Sequence, residues 1–164
     1  MKRILSLLSA VIFILMLSVS SHAEKNELIR KDLKILKVKS HKSFEVDTIG
    51  NCYLAGVSGP RFSDEVFAEA MKEVEKFIKE NKNPDGTHSM LLEKEESVTK
   101  NGQKRTTWYV IINGKSGLSL NEFLVKRGIC YTNKYSEKYF NAENIKKLED
   151  EAKSLKLYKW SDNK

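Results

Sequence analysis

From residue 33 to residue 57 apolar and polar residues fall in short alternating runs, interrupted at Ser40-His41-Lys42-Ser43 and at Gly50-Asn51. A period of two predicts strands over residues 33–39, 44–49 and 52–57, joined by two tight hairpins. Gly59-Pro60 then stops the sheet, because proline brings no N–H to a ladder. Beyond it the period changes. Phe67, Ala70, Met71, Val74, Phe77 and Ile78 recur at steps of three and four, and Glu69, Lys72, Glu73, Glu75, Lys76 and Lys79 fill the opposite face. That spacing predicts an amphipathic helix with Ser63 as N-cap and Asp64 and Glu65 at the positive end of its dipole. Asn83-Pro84-Asp85-Gly86 terminates it.

A second β pair is predicted over residues 88–96 and 105–112, the latter carrying Thr106-Thr107-Trp108-Tyr109-Val110-Ile111-Ile112. Asn101-Gly102 between them predicts a type I′ turn. Ser119-Leu120-Asn121-Glu122 is a capping box, so a short helix runs from there to Arg127 and closes at Gly128. A last helix begins near Asn141, sets Ile145, Leu148, Ala152 and Leu155 on one stripe, and ends near Tyr158 and Trp160. Three strands, a helix, a hairpin and two further helices give an α+β class, a five-stranded OB-fold β-barrel with three helices.

The N-terminus does not belong to this pattern. Lys2 and Arg3 precede sixteen mostly apolar residues, 4–19, and then Ser21-His22-Ala23. This is the layout of a secretory signal at residues 1–23, too short to span a bilayer, and it leaves residues 24–164 as one exported domain, periplasmic or secreted, with no stable membrane anchor. Its removal takes Lys2 and Arg3, so 29 basic residues become 27 against 22 acidic ones. Such a balance permits a polyanionic partner without requiring one. Export also places Cys52 and Cys130 where a cysteine pair tends to become a disulfide. No metal site is expected from the cysteines and histidines: His22 leaves with the signal, and His41 and His88 stand far from both cysteines.

Three groups of residues resemble the staphylococcal nuclease-like (thermonuclease) family. They are Asn121-Glu122-Phe123-Leu124-Val125-Lys126-Arg127-Gly128, Leu148-Glu149-Asp150-Glu151-Ala152-Lys153 and Leu157-Tyr158-Lys159-Trp160-Ser161. Upstream, Tyr53-Leu54-Ala55-Gly56-Val57-Ser58-Gly59-Pro60-Arg61 is similar to that family's segment of the form R-L-A-G-I-D-A-P-E. The resemblance implies phosphodiester hydrolysis with a Ca²⁺ held by two aspartates and a backbone carbonyl. A glutamate acts on the attacking water, and two arginines clamp the phosphate.

Carried across by that resemblance, Tyr53 stands where the first clamp arginine belongs, Ser58 where a metal aspartate belongs, and Arg61 where the general base belongs. Ser40-His41-Lys42-Ser43-Phe44 takes the place of a D-G-D-T turn and sets Lys42 at the other metal aspartate, where a cation repels Ca²⁺. Arg105 falls at the second clamp arginine, the one catalytic position retained. A different register would make Asp47-Thr48 the end of the D-G-D-T turn, but the four residues 49–52 cannot hold a strand and a reversal before Tyr53. Asp64 or Glu65 is an alternative base.

Phe44, Tyr53, Trp108, Tyr109, Tyr131, Tyr135 and Tyr139 are candidates for a base-stacking face. The expectation is an exported thermonuclease-like domain that has lost catalysis, holds no cofactor, and keeps nucleic-acid or polyanion binding through Lys42, Arg61 and Arg105. The alternatives are an active Ca²⁺-dependent nuclease with relocated carboxylates and an envelope protein-interaction module.

Overall fold

A computed structural model describes residues 28–59 and 63–158, with the side chains of residues 64–66 also outside the description. The predicted first strand starts earlier than its alternation implies and is bent. β1 (Ile29–Leu33) and β2 (Ile35–Ser40) are separated by Lys34 alone, whose carbonyl accepts from the Asp47 N–H at 2.9 Å. β3 (Ser43–Val46), β4 (Gly50–Leu54) and β5 (Val57–Ser58) follow, then α1 (Asp64–Glu80), β6 (His88–Val98) and β7 (Lys104–Ile112). The chain continues through α2 (Leu120–Lys126), β8 (Tyr131–Thr132), α3 (Ser136–Tyr139) and α4 (Ala142–Ser154).

The main sheet runs β1-β6-β7-β4-β3-β2. β1 pairs with β6 and β2 with β3, so both edges of the curled sheet are supplied by one stretch of chain, the closure of an OB-type barrel. β4 and β7 run parallel, matching Cys52 with Trp108, Tyr53 with Tyr109 and Leu54 with Val110. The class is α+β as expected. The count differs: the first of the five expected strands is split in two by the bend, and the two-residue β5 and β8 pair in a sheet of their own.

Two turns depart from their predictions. The β3–β4 reversal lies at residues 47–49, not at Gly50-Asn51, because the pairing of Phe44 with Cys52 is the register that turns Phe44, Val46, Cys52 and Leu54 all inward. Asn101-Gly102 is not type I′ either. Among non-glycine residues positive φ occurs at Thr48, Lys156 and Tyr158 but not at Asn101, so a longer loop carries Gly102 alone in the left-handed region and closes by Thr99 N–H to Gln103 at 2.8 Å.

The core gathers the inward sheet residues with Ala70, Val74 and Phe77 of α1, Leu120, Leu124 and Val125 of α2, and Ile145 of α4. Leu155, predicted on the α4 stripe, lies just past the helix and is exposed. Ser63 occupies the N-cap of α1 without a side-chain capping bond, whereas the capping box of α2 is complete, Ser119 N–H donating to Glu122 at 2.9 Å and Glu122 N–H to Ser119 at 3.2 Å.

The expected disulfide is not formed. Cys52 and Cys130 are both buried free thiols of the core. Burial pushes each thiol up to about 12.

Candidate functional site

Where β4 ends, the chain has to leave the barrel without stranding the backbone of β7. Asn121, fully buried on α2, does this: its amide donates to the carbonyls of Ala55 at 2.9 Å and Val110 at 3.1 Å and accepts from Ile112 N–H at 3.4 Å. The Ala55-Gly56 turn is thereby fixed, and β5 follows with Ser58 at the rim of a cleft of about 620 Å³.

The cleft brings together Lys42, Tyr53, Ser58 and Arg105, four of the five positions singled out by the resemblance. Arg61, the fifth, lies outside the described residues. The turn holding Lys42 is at one end of β3 and residues 47–49 are at the other, so Asp47 does not share the Lys42 position. Lys42 is held by its backbone, its N–H bonded to Ser40 Oγ at 3.3 Å and its carbonyl to Leu54 N–H at 3.0 Å. Its side chain is half-buried, that of Arg105 is exposed, and neither makes an ion pair among the described residues.

Beside Lys42, His41 is an anchor rather than a loop residue. It is 5% exposed, with its ring edge-on to Phe67 at 6.1 Å. A Cβ placed on Gly59 would lie 1.9 Å from His41 Nε2, so the imidazole fills the space that any larger residue at 59 would need. Burial, and then the neighbouring Lys42, hold the imidazole down at about 4.

Sequence patterning did not anticipate the acids of the cleft. Glu93 and Glu95 project from β6 onto its wall beside Arg105, Thr107 and Tyr109 of β7. Glu93 is 3% exposed, and its two oxygens are taken by Lys138 Nζ and the Tyr139 hydroxyl, both from the segment around α3. Burial, then that bond and the charge of Glu93, push the Tyr139 hydroxyl well up. The Tyr109 hydroxyl is raised by burial first, then by the charge of Glu95. The wall carrying α3 is tied down by Ser136 Oγ, which donates to the Gly56 carbonyl at 2.6 Å, and by Asn133, which donates to Ser58 Oγ at 3.4 Å.

Ca²⁺ asks for several free oxygen ligands, most of them anionic. The cleft offers instead a lysine, a serine, Glu93 already engaged by an ammonium and a phenol, and a single further carboxylate, Glu95. Among the described residues no group of three or more Asp, Glu, His or Cys can hold a metal. These residues do not fit the ion that the resemblance implies. Their donors, an ammonium, a guanidinium, hydroxyls and an amide, suit phosphate oxygens.

Of the candidate stacking aromatics, Phe44 is core and Trp108 packs against it. Tyr53, Tyr109, Tyr135 and Tyr139 line the cleft, with Tyr53 39% and Tyr135 56% exposed. Tyr131 is in β8, away from the cleft lining.

A family model described as staphylococcal nuclease homologue matches residues 19–162. No curated protein matches the chain.

Proposed function

The chain belongs to the staphylococcal nuclease homologue family, and from that premise we propose that it is an exported, nucleic-acid-binding member whose cleft holds phosphate without hydrolysing it. The observation that carries this reading is a pair of cations without an ion pair among the described residues, Lys42 and Arg105, in a cleft whose buried carboxylate, Glu93, is already committed to Lys138 and Tyr139. Three cations, Lys42, Arg105 and Lys138, face Glu93 and Glu95 there, and Lys138 is neutralised by Glu93. Three cations against two acids leave one net positive charge, with Lys42 and Arg105 outside any ion pair among the described residues, so the attraction is for a phosphate rather than for a broad polyanionic surface. Arg61 stands as a further contact in this proposal. Export to the periplasm or beyond is supported by the leader at residues 1–23.

A second reading, hydrolysis with relocated carboxylates, has one observation in its favour: Glu95 is exposed on the same wall as Arg105. An envelope protein-interaction module is the third, and it requires no affinity for polyanions.

Titration of a fluorescent oligonucleotide at several salt concentrations tests the proposal. Affinity is expected to fall steeply with salt. Arg105→Ala is expected to weaken binding about tenfold and to reduce the slope of log K against log salt by about 0.7 for a single strand. Affinity independent of salt, or an Arg105→Ala variant that binds as the parent does, contradicts it and favours the interaction module.

A further inference from the structure

The position at which the family resemblance calls for a metal carboxylate carries its own cation. Building on the polyanion reading, we infer that Lys42 is the resident cation of the cleft, that it holds a phosphodiester of a single-stranded nucleic acid with no divalent ion taking part, and that Tyr53 takes an adjacent base.

Three observations on different residues converge on this. First, Lys42 is fixed on both sides of its peptide, by Ser40 and by Leu54, and is flanked by the buried His41. Its backbone is therefore fixed at the cleft, and the residue is half-buried and makes no ion pair among the described residues. Second, beside the acids Glu93 and Glu95 the cleft supplies donors that suit an anion: Arg105, the Ser58 and Thr107 hydroxyls, and Asn133. A divalent cation entering the same space meets Lys42 and Arg105, with Glu93 already engaged and Glu95 as the one other carboxylate of the lining.

Third, the aromatic surface is presented rather than packed. Tyr53 pairs with Ser43 across the β3–β4 ladder, immediately beside Lys42, and a large part of its ring is open to solvent. Tyr135 on the opposite wall is more open still, with Lys134 Nζ 4.8 Å from its ring centre. Open rings beside a phosphate site reward a chain whose bases are unstacked, and a duplex keeps its bases out of reach.

The test is a binding titration of the whole chain with three probes, oligothymidylate, a duplex of equal length and inorganic polyphosphate, each in Ca²⁺ and in EDTA. Parent, Lys42→Met, Lys42→Asp and Tyr53→Leu proteins are compared, with circular dichroism confirming that each is folded. The parent is expected to bind oligothymidylate equally in Ca²⁺ and EDTA and at least fivefold more tightly than duplex. Lys42→Met is expected to lose about tenfold on every probe. Tyr53→Leu is expected to lose at least fivefold on oligothymidylate and nothing on polyphosphate. Lys42→Asp, with a carboxylate restored, is expected to bind oligothymidylate more weakly in EDTA than in Ca²⁺.

A parent that needs Ca²⁺, a duplex bound as tightly as the single strand, or a Tyr53→Leu protein indistinguishable from the parent overturns the inference. If polyphosphate still binds with salt-dependent affinity in those cases, the polyanion reading survives it. If none of the probes binds, both fall together.

Discussion

Asn121→Ala is expected to lower the free energy of unfolding by about 3 kcal/mol and the melting temperature by about 10 °C, the largest effect of any single polar substitution proposed for this chain. The side chain is fully buried and bridges three backbone groups, the Ala55 and Val110 carbonyls and the Ile112 N–H, at the place where β4 leaves β7. Truncation leaves the Ala55 carbonyl and the Ile112 N–H without that partner in a space closed to water, at about 1–3 kcal/mol for each stranded group. The Val110 carbonyl keeps the bond from Ala55 N–H at 2.9 Å, so only part of the network is lost. Urea unfolding followed by circular dichroism measures the change. A loss below about 1 kcal/mol would mean that this bridge does not hold the end of β4.

Gly59→Ala is expected to destabilise by about 1–3 kcal/mol, because its Cβ would lie 1.9 Å from His41 Nε2 and the ring has no slack around it. The informative measurement is the double-mutant cycle with His41→Gly. At these two positions the family forms D-G-D-T and D-A-P-E have glycine and alanine, so this chain has exchanged large for small across one contact. If the exchange is steric, the double variant is less destabilised than the sum of its parts, with a coupling of about 2 kcal/mol. Additive effects would separate the two sites.

The same histidine gives the chain an acid-sensitive contribution. His41 is held at about 4 in the folded state, below the value near 6.5 of an unfolded imidazole, and His88 is also lowered, by burial first. The unfolded chain therefore takes up protons first. Stability is fully present above about pH 6.5 and is lost as pH falls toward 4, by at most about 1.4 kcal/mol per pH unit for each histidine. His41→Gly is expected to flatten that slope relative to the parent.

How much of this was legible in the sequence depended on whether the signal was local. α1 and the β6–β7 hairpin are long and strongly periodic, and their positions follow from spacing alone. β5, β8 and α3 have two, two and four residues, too short for any period, and they exist because Val57 meets Thr132 and because Ser136 caps the Gly56 carbonyl eighty residues away. The convergence of Lys42, Tyr53, Ser58 and Arg105 was legible through the family resemblance and appears in the cleft. Glu93 was not. In an alternating strand it reads as an outward polar residue, and it is buried only because Lys138 and Tyr139 arrive from forty-five and forty-six positions further along. His41 was equally hidden, since a polar residue in a tight turn is normally exposed and only the absence of a Cβ at Gly59 makes room for it.

Incubating the chain with single-stranded DNA and Ca²⁺, with and without EDTA, and following release of acid-soluble nucleotides tests the central claim most directly. The cleft described here predicts DNA that is bound and stays intact in both conditions. Cleavage that EDTA abolishes, and that Arg105→Ala or Glu95→Gln removes, would contradict it.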